Sequence, residues 1–515
     1  MPIVAKVSHA DSPPIALSLS ALTRAIRRQT VTVRARILSI ADDARWLTNA
    51  LSESASCATL PIFTNTRAGD WYVPTERVSG LCCFKSHDGH RSTIGFSATR
   101  LNLALGAAAA HAGGAVVVDA TSSGSKRFPD SCVTIAVWAA VINAVRGLKV
   151  DDIEGAALSD FFPNWLPRGT LDEAIGVVSR TVEAMPAPLA AVIRSELSAL
   201  GTRALVPLYV CQPSSSVTGN GGEWDETVWP LLDSDDGTVP IVFVSASRLV
   251  DEGGDVASAH AGWYYVSGAG DDHENWAGVF GLTASLFWAH RELLTTGFDD
   301  EALVQVVQGI GKAALAATLT AATIPFRSLQ LHDARRLLGA AISVGDSSIV
   351  RVARPSAWIS NDTVTEESPL PGTIFVVTVM IKGGSSSSSS SSSIEEGGEK
   401  RNGSNTDDDA PCVRRLCVPG EYKSARSRVI WNTQIFPVIN ESILKGGLIL
   451  VAFQDTESAA SASAITAAIL LAARNSELLT KIDVRVSLAL ACTACVSPCV
   501  DKAIVKNLTR VYVPP

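Results

Sequence analysis

Short β-branched apolar runs alternate along this chain with longer apolar stretches broken at helical spacing, the pattern of strands and helices taking turns. The sharpest run is Gly114–Asp119, GAVVVD. Three valines with no polar interruption read as a strand buried on both faces, as in a parallel sheet. Residues 17–51 read largely as helix, and Phe96–Leu105 as the start of another. The strand Gly447–Phe453 leads into a further helix, Ala459–Arg474. Alternation of this kind predicts an α/β fold. A length of 515 residues predicts more than one domain. We expect an N-terminal mixed α/β domain over 1–335 and a second α/β domain over 336–515. Residues 383–411 interrupt the latter with nine consecutive serines (Ser385–Ser393), a Gly/Glu-rich stretch and Asp407–Asp409. Such a composition buries too little apolar surface to fold, so a disordered insertion is expected there.

Composition and charge narrow the classes. Hydrophobic residues make up 47% and charged residues 18%, which is globular usage. The net charge of −8 excludes a uniformly basic nucleic-acid binder, but the charge is unevenly placed. No acid occurs between Asp11 and Asp42, whereas Arg24, Arg27, Arg28, Arg34 and Arg36 do. That segment reads as an RNA-backbone contact, because counterion release rewards local positive charge, or as a solvated helix face or an Arg-rich targeting segment. Ten cysteines are too few for a disulfide scaffold. The first residues, MPIVAKVSHADSPP, lack a signal-peptide pattern. The most apolar span, Leu101–Ala120, is broken by Asn102, His111 and paired glycines. A soluble cytoplasmic protein without a membrane partner is expected.

Candidate chemistry sits in four places. After GAVVVD comes the loop ATSSGSKRFPD, where small residues and Gly124 let backbone N–H groups turn outward beside Lys126 and Arg127. A strand running into such a loop is a way to hold a phosphate, or a polar surface turn. The segment Phe84–His90, FKSHDGH, packs Lys85, His87, Asp88 and His90 around a glycine. The run Arg67–Tyr72 combines charge with aromatics, which fits stacking on a sugar or base or a packed loop corner. Asp271-Asp272-His273-Glu274 follows a Gly-Ala-Gly turn, and its carboxylates fit a base, a Mg²⁺ ligand or a helix cap. Cys492, Cys495 and Cys499 lack a fourth ligand at zinc spacing and read as helix cysteines.

In order along the chain, several segments resemble the initiator-tRNA 2′-O-ribosylphosphate transferase family. They are Arg67-Ala68-Gly69-Asp70-Trp71-Tyr72, FKSHDGH, FSATRLNLAL, and VVVDATSSGSKRFPD with Trp138 and Asn143 beyond it. Phe162–Leu166, Val206–Val210 and Ser245–Arg248 continue the resemblance, as does Gly262–Glu274, GWYYVSGAGDDHE, with Leu282-Thr283 and Leu286-Phe287-Trp288 after it. The match covers most of residues 17–300 and continues more loosely to the C-terminus. The resemblance implies transfer of a 5-phosphoribosyl group from phosphoribosyl pyrophosphate to the 2′-hydroxyl of a T-stem adenosine in initiator tRNA. Such a mark reserves that tRNA for translation initiation. It also implies a Mg²⁺ ion and a dual-specificity-phosphatase-like C-terminal domain.

On that resemblance Asp88, Asp271 and Asp272 are candidates for base or metal ligand. Lys85, His90, Arg100, Asp119, Thr121, Lys126, Arg127, Asp130 and Arg248 are the expected donor and anion contacts. The loop departs from the family, with Ser122 and Ser123 in arginine places and Ser125 inserted; His87 and Ser267 replace a usual Thr and Gln. Serine supplies no charge where a guanidinium gave two parallel hydrogen bonds. A non-catalytic RNA- or phosphate-binding homologue and a different phosphoribosyl transferase stay open as alternatives. The C-terminal loop Gln454–Glu457 carries no Cys, Gly or basic residue, so phosphatase activity is not expected.

Overall fold

The computed structural model describes residues 31–53, 55–66, 68–84, 94–121, 128–148, 161–163, 166–212, 237–248, 263–271, 276–321, 340–344, 348–353, 373–380, 412–419, 431–444, 448–453, 456–474, 478–495 and 502–513. The expected domain break near 335 and the serine-rich insertion fall outside them.

Five strands form the first sheet: β1 (Ile62–Asn65), β2 (Val78–Cys82), β3 (Ala115–Asp119), β4 (Ala204–Cys211) and β5 (Thr238–Ser245), in the order β2-β1-β3-β5-β4. All four pairings are parallel. The valine run is the central strand, and every residue of it is buried. Its period-2 geometry sends Ala115 and Val117 to one face and Val116 and Val118 to the other, each into a separate core.

Against the first face pack α2 (Leu103–Ala112), α3 (Ser131–Val145), α4 (Arg168–Glu183) and α5 (Ala187–Glu196). Against the second pack α1 (Val33–Glu53), α6 (Ala284–Ala289) and α7 (Asp300–Ala321). Helix α3, SCVTIAVWAAVINAV, is apolar nearly all round because it is buried nearly all round. Helix α2 begins at Leu103, later than the expected start near Phe96. Asn102 before it adopts a left-handed conformation (φ 45°), and its side chain accepts from Cys83 N at 2.9 Å and donates to Cys83 O at 3.3 Å. A residue so held cannot continue a right-handed helix.

The second sheet is mixed: β6 (Ala340–Val344), β7 (Ser348–Ala353), β10 (Leu448–Phe453), β8 (Thr373–Met380) and β9 (Cys412–Pro419), in that spatial order. Only β7 and β10 pair in parallel. With it go a π-turn at Trp431–Ile435 and the helices α8 (Phe436–Leu444), α9 (Thr456–Ala473), α10 (Lys481–Cys495) and α11 (Lys502–Tyr512). Helix α10 joins the two halves. Val484, Leu488, Ala491 and Cys495 enter the C-terminal core, while Ala489 enters the core of the first sheet with Val486 against it. Cys492 and Cys495 lie on this helix, with Cys495 buried and its Sγ 3.7 Å from Thr466 Oγ1. Among the described residues no helix is long and apolar enough to cross a membrane.

Candidate active site

In an open parallel sheet, ligands bind outside the carboxyl ends of the strands where the strand order reverses. Here the chain leaves β1 for β2 on one side and leaves β3 toward β4 and β5 on the other, so the reversal lies between β1 and β3. Asn65 ends β1 and Asp119 ends β3. Asn65 Nδ2 donates to Asp119 Oδ2 at 2.7 Å and to Phe84 O at 2.9 Å, while its Oδ1 accepts from Phe84 N at 2.8 Å. Ser131, the first residue of α3, donates its hydroxyl to the same Asp119 oxygen. One amide and one hydroxyl therefore tie together the ends of β1 and β3, the exit of β2 and the start of α3.

The ends of β3 and β5 are tied as firmly. Ala246 N donates to Asp119 O at 2.8 Å and Thr121 N to Ser247 Oγ at 3.0 Å, and Ser247 Oγ donates back to Thr121 O at 3.1 Å. Ser267, from the turn before Gly-Ala-Gly-Asp, places its hydroxyl 3.2 Å from Thr121 O and 3.4 Å from Arg248 O. Asp119, Thr121, Arg248 and the 265–271 turn thus share one rim.

Helix α1 holds that turn from beneath. Ser39 Oγ accepts from Val266 N at 2.8 Å. The Tyr265 hydroxyl donates to Asp43, 2.8 and 3.0 Å from its two carboxyl oxygens, and accepts from Arg248 N at 3.0 Å. The Arg248 guanidinium stacks 3.9 Å from the centre of the Tyr265 ring and pairs with Asp42 at 3.6 Å. Burial pushes the Asp43 carboxyl well above the usual carboxylate range, against the hydrogen bond from Tyr265 and the charge of Arg248.

A second carboxyl is enclosed below β1. Asp70 accepts a hydrogen bond from Thr64, and its carbonyl accepts from Trp288 Nε1 at 3.2 Å. Burial raises its pKa to about 6; the bond from Thr64 opposes the rise and the charge of Asp119 adds to it. Burial also pushes the Tyr72 phenol far up, aided by the fields of Asp43, Asp271 and Asp119 and opposed by its bond from Gly270 N at 3.0 Å. Acidic residues from three separate elements thus act on one phenol.

Of the sequence candidates, Asp119 is fully buried and Thr121 and Asp271 nearly so. Asp271 N bonds to Gly268 O at 2.9 Å and closes the turn. Asp130 immediately precedes Ser131 at the start of α3. Arg100 closes a turn, its N–H on Ser97 O at 2.9 Å. Arg34 is half-buried on α1. Arg36 is only 8% exposed, with its guanidinium 5.6 Å from the Trp276 ring centre. Arg24, Arg27, Arg28, Lys85, His87, Asp88, His90, Lys126, Arg127 and Asp272 lie outside the described residues, but the segments carrying the last seven leave from the rim or return to it at Phe84, Thr121 and Asp271.

Sequence reasoning missed Asn65, Ser131, Ser247, Asp43 and Tyr265. A polar residue closing an apolar strand, as Asn65 does in IFTN, was the signal for the first. No group of three or more His, Cys, Asp or Glu side chains is placed to hold a metal among the described residues. The hydrogen bonds that Asp119 accepts from Asn65 and Ser131 both fall on its Oδ2, and it is a single carboxylate. The described residues therefore do not fit a magnesium site by themselves.

A doubly wound parallel sheet with its polar residues gathered at the switch point defines an α/β protein of the ligand-binding kind. The chain belongs to the Rit1 family: residues 26–312 match the family model described as the Rit1 N-terminal domain. It is 30% identical over 318 residues to the tRNA A64-2′-O-ribosylphosphate transferase of Saccharomyces cerevisiae, a match covering 58% of each chain. An uncharacterized protein of Schizosaccharomyces pombe is 33% identical over 264 residues, 51% of this chain and 52% of its own. The match thus spans little more than half the length of these curated relatives. No solved structure matches the chain.

Proposed function

We propose that this protein transfers the 5-phosphoribosyl group of phosphoribosyl pyrophosphate to the 2′-hydroxyl of a T-stem adenosine in initiator tRNA. The observation that carries this reading is the convergence of family-matched segments, Asp119–Thr121, Ser247–Arg248 and 265–271, on one rim at the switch point. The 2′-oxygen attacks the anomeric carbon of the donor, the bond to pyrophosphate breaks, and pyrophosphate leaves with that electron pair. The 2′-hydroxyl proton goes to a carboxylate, for which Asp88, Asp271 and Asp272 are the candidates.

The donor phosphates need positive charge, and in this reading Arg248, Lys85, His90, Arg100, Lys126 and Arg127 supply it. Loop backbone at Thr121 and the start of α3 beyond Asp130 complete the cradle. Magnesium would enter with the pyrophosphate, as charge neutralisation for the leaving group, and no step above depends on it. The basic segment Arg24–Arg36 would follow the RNA backbone through Arg24, Arg27, Arg28 and Arg34, with Arg36 ordering the helix from inside. We read residues 336–515 as a phosphatase-like unit without phosphatase chemistry, on the support of β10 passing directly into the buried helix α9. A cytoplasmic location follows from the proposed substrate.

The test is incubation with donor labelled in the ribose, then with tRNA and, separately, with free nucleobases. Label on the 2′-oxygen of tRNA supports the proposal. Label on nucleobases identifies a different phosphoribosyl transferase, and absence of label a binding-only homologue. Lys126→Ala with Arg127→Ala is expected to raise the KM for the donor at least tenfold, measured by steady-state label transfer.

A further inference from the structure

Far from the rim in sequence, α8 and α11 border an open groove of about 610 Å³. Asn432, Asn440, Asn507 and Arg510 line it, with Phe436 and Pro437 as its apolar wall. Two of the amides hold each other, Asn507 Nδ2 donating to Asn432 Oδ1 at 3.0 Å. The third is fixed by the Tyr512 hydroxyl, 3.3 Å from Asn440 Oδ1. Each amide is thus oriented through one end only. Among the described residues, Asn432 Nδ2 and Asn440 Nδ2 as donors and Asn507 Oδ1 as acceptor keep unused capacity.

The charge on α11 itself has one sign. Helix α11, KAIVKNLTRVY, contains no acid. It buries Ile504 and Leu508, while Lys506 and Arg510 are exposed one turn apart on the same face. A groove lined, among the described residues, by amides and a guanidinium and by no carboxylate disfavours a cation or a basic peptide. Amides that read hydrogen-bonding edges beside cations that meet phosphates are the chemistry of nucleic-acid contact.

We propose that this groove is a second RNA-docking site, Lys506 and Arg510 meeting the phosphate backbone and the asparagines meeting base or ribose edges. It rests on the reading of tRNA as substrate and gives the C-terminal unit its part in that reaction. Helix α10, shared between both cores, makes the site a fixed anchor relative to the first sheet rather than a tethered lobe.

The experiment uses the full chain with the charge reversals Lys506→Glu and Arg510→Glu together. Lys481→Glu with Arg485→Glu, an exposed pair at the same spacing on α10, serves as the matched control. Binding of unfractionated tRNA is measured from 50 to 250 mM salt by fluorescence anisotropy, alongside label transfer. Both proteins should melt like the wild type, since all four side chains are exposed. The groove variant is expected to bind tRNA about tenfold more weakly and to flatten the log Kd against log salt slope by about two, one for each phosphate no longer neutralised. Its KM for the sugar donor should stay unchanged. Equal weakening in groove variant and control, or none in either, would overturn the proposal while leaving the transferase reading intact. Weakening in the groove variant alone, from a wild-type chain that transfers no label, would keep the groove and sink the transferase reading. Competition by an acidic peptide but not by tRNA would reassign the groove to a protein partner.

Discussion

At Asn65 a single amide satisfies the N–H and C=O of Phe84 and donates to Asp119, all in a buried setting. Phe84 is the last described residue before the segment holding Lys85, Asp88 and His90, so Asn65 sets where that segment starts relative to β3. Asn65→Ala leaves two buried backbone groups unpaired, each costing about 1–3 kcal/mol. We expect a lower urea midpoint together with a raised donor KM; an unchanged midpoint would show that the clamp is dispensable.

Asp70 makes a pH-dependent prediction at the same scale. Its folded pKa, about 6, stands above the usual 3.8, so the folded state holds its proton more tightly than the unfolded chain. Stability from this group is full below about pH 4 and is lost as pH rises through 6, by roughly 3 kcal/mol in all. Asp70→Asn, which keeps an acceptor for Thr64, is expected to be more stable than wild type at pH 7 and equal to it near pH 4. Urea titrations at the two values check this.

Among the elements, the family-like motif proves over its described residues, Ala68–Tyr72, to be a packing corner. A Cβ on Gly69 would come within 2.2 Å of Val118 O and 3.1 Å of Thr64 Cα, both backbone, so nothing there can yield. Trp71 contacts Trp276 and Phe287 at 5.7 and 5.9 Å between ring centres, and a Cβ on Gly270 would lie 2.7 Å from its side chain. The glycines of both motifs let one turn press on the other and carry Asp271 to the rim. Gly69→Ala should cost at least the 1–3 kcal/mol typical of overpacking, about the upper end here, read as a fall in melting temperature. The aromatics of this corner, which as sequence suggested stacking on a base or sugar, stack chiefly on one another.

For the whole molecule, the junction is helix α10. Ala489 is buried against the first core while its neighbours bury into the second. Ala489→Glu places an unpaired charge there and is expected to uncouple the halves, splitting one calorimetric transition into two. Donor affinity should survive this and tRNA affinity fall. A single transition at the wild-type temperature would show that the contact does not couple them.

The valine run of β3, the strand Leu448–Phe453 with the helix after it, and the α/β alternation were legible in the sequence, because buried strands and helices leave uninterrupted apolar signatures. So were the segments GAGDD and Ser245–Arg248, whose motif character is local. What the sequence could not express was which strand ends meet. The 2-1-3-5-4 order, the bond from Asn65 to Asp119 across 54 residues and the bond from Tyr265 to Asp43 across 222 are products of tertiary packing. The same packing turned Arg36 inward over Trp276 and raised Asp70, since burial and neighbouring charge are properties of a place in space and not of a position in a chain.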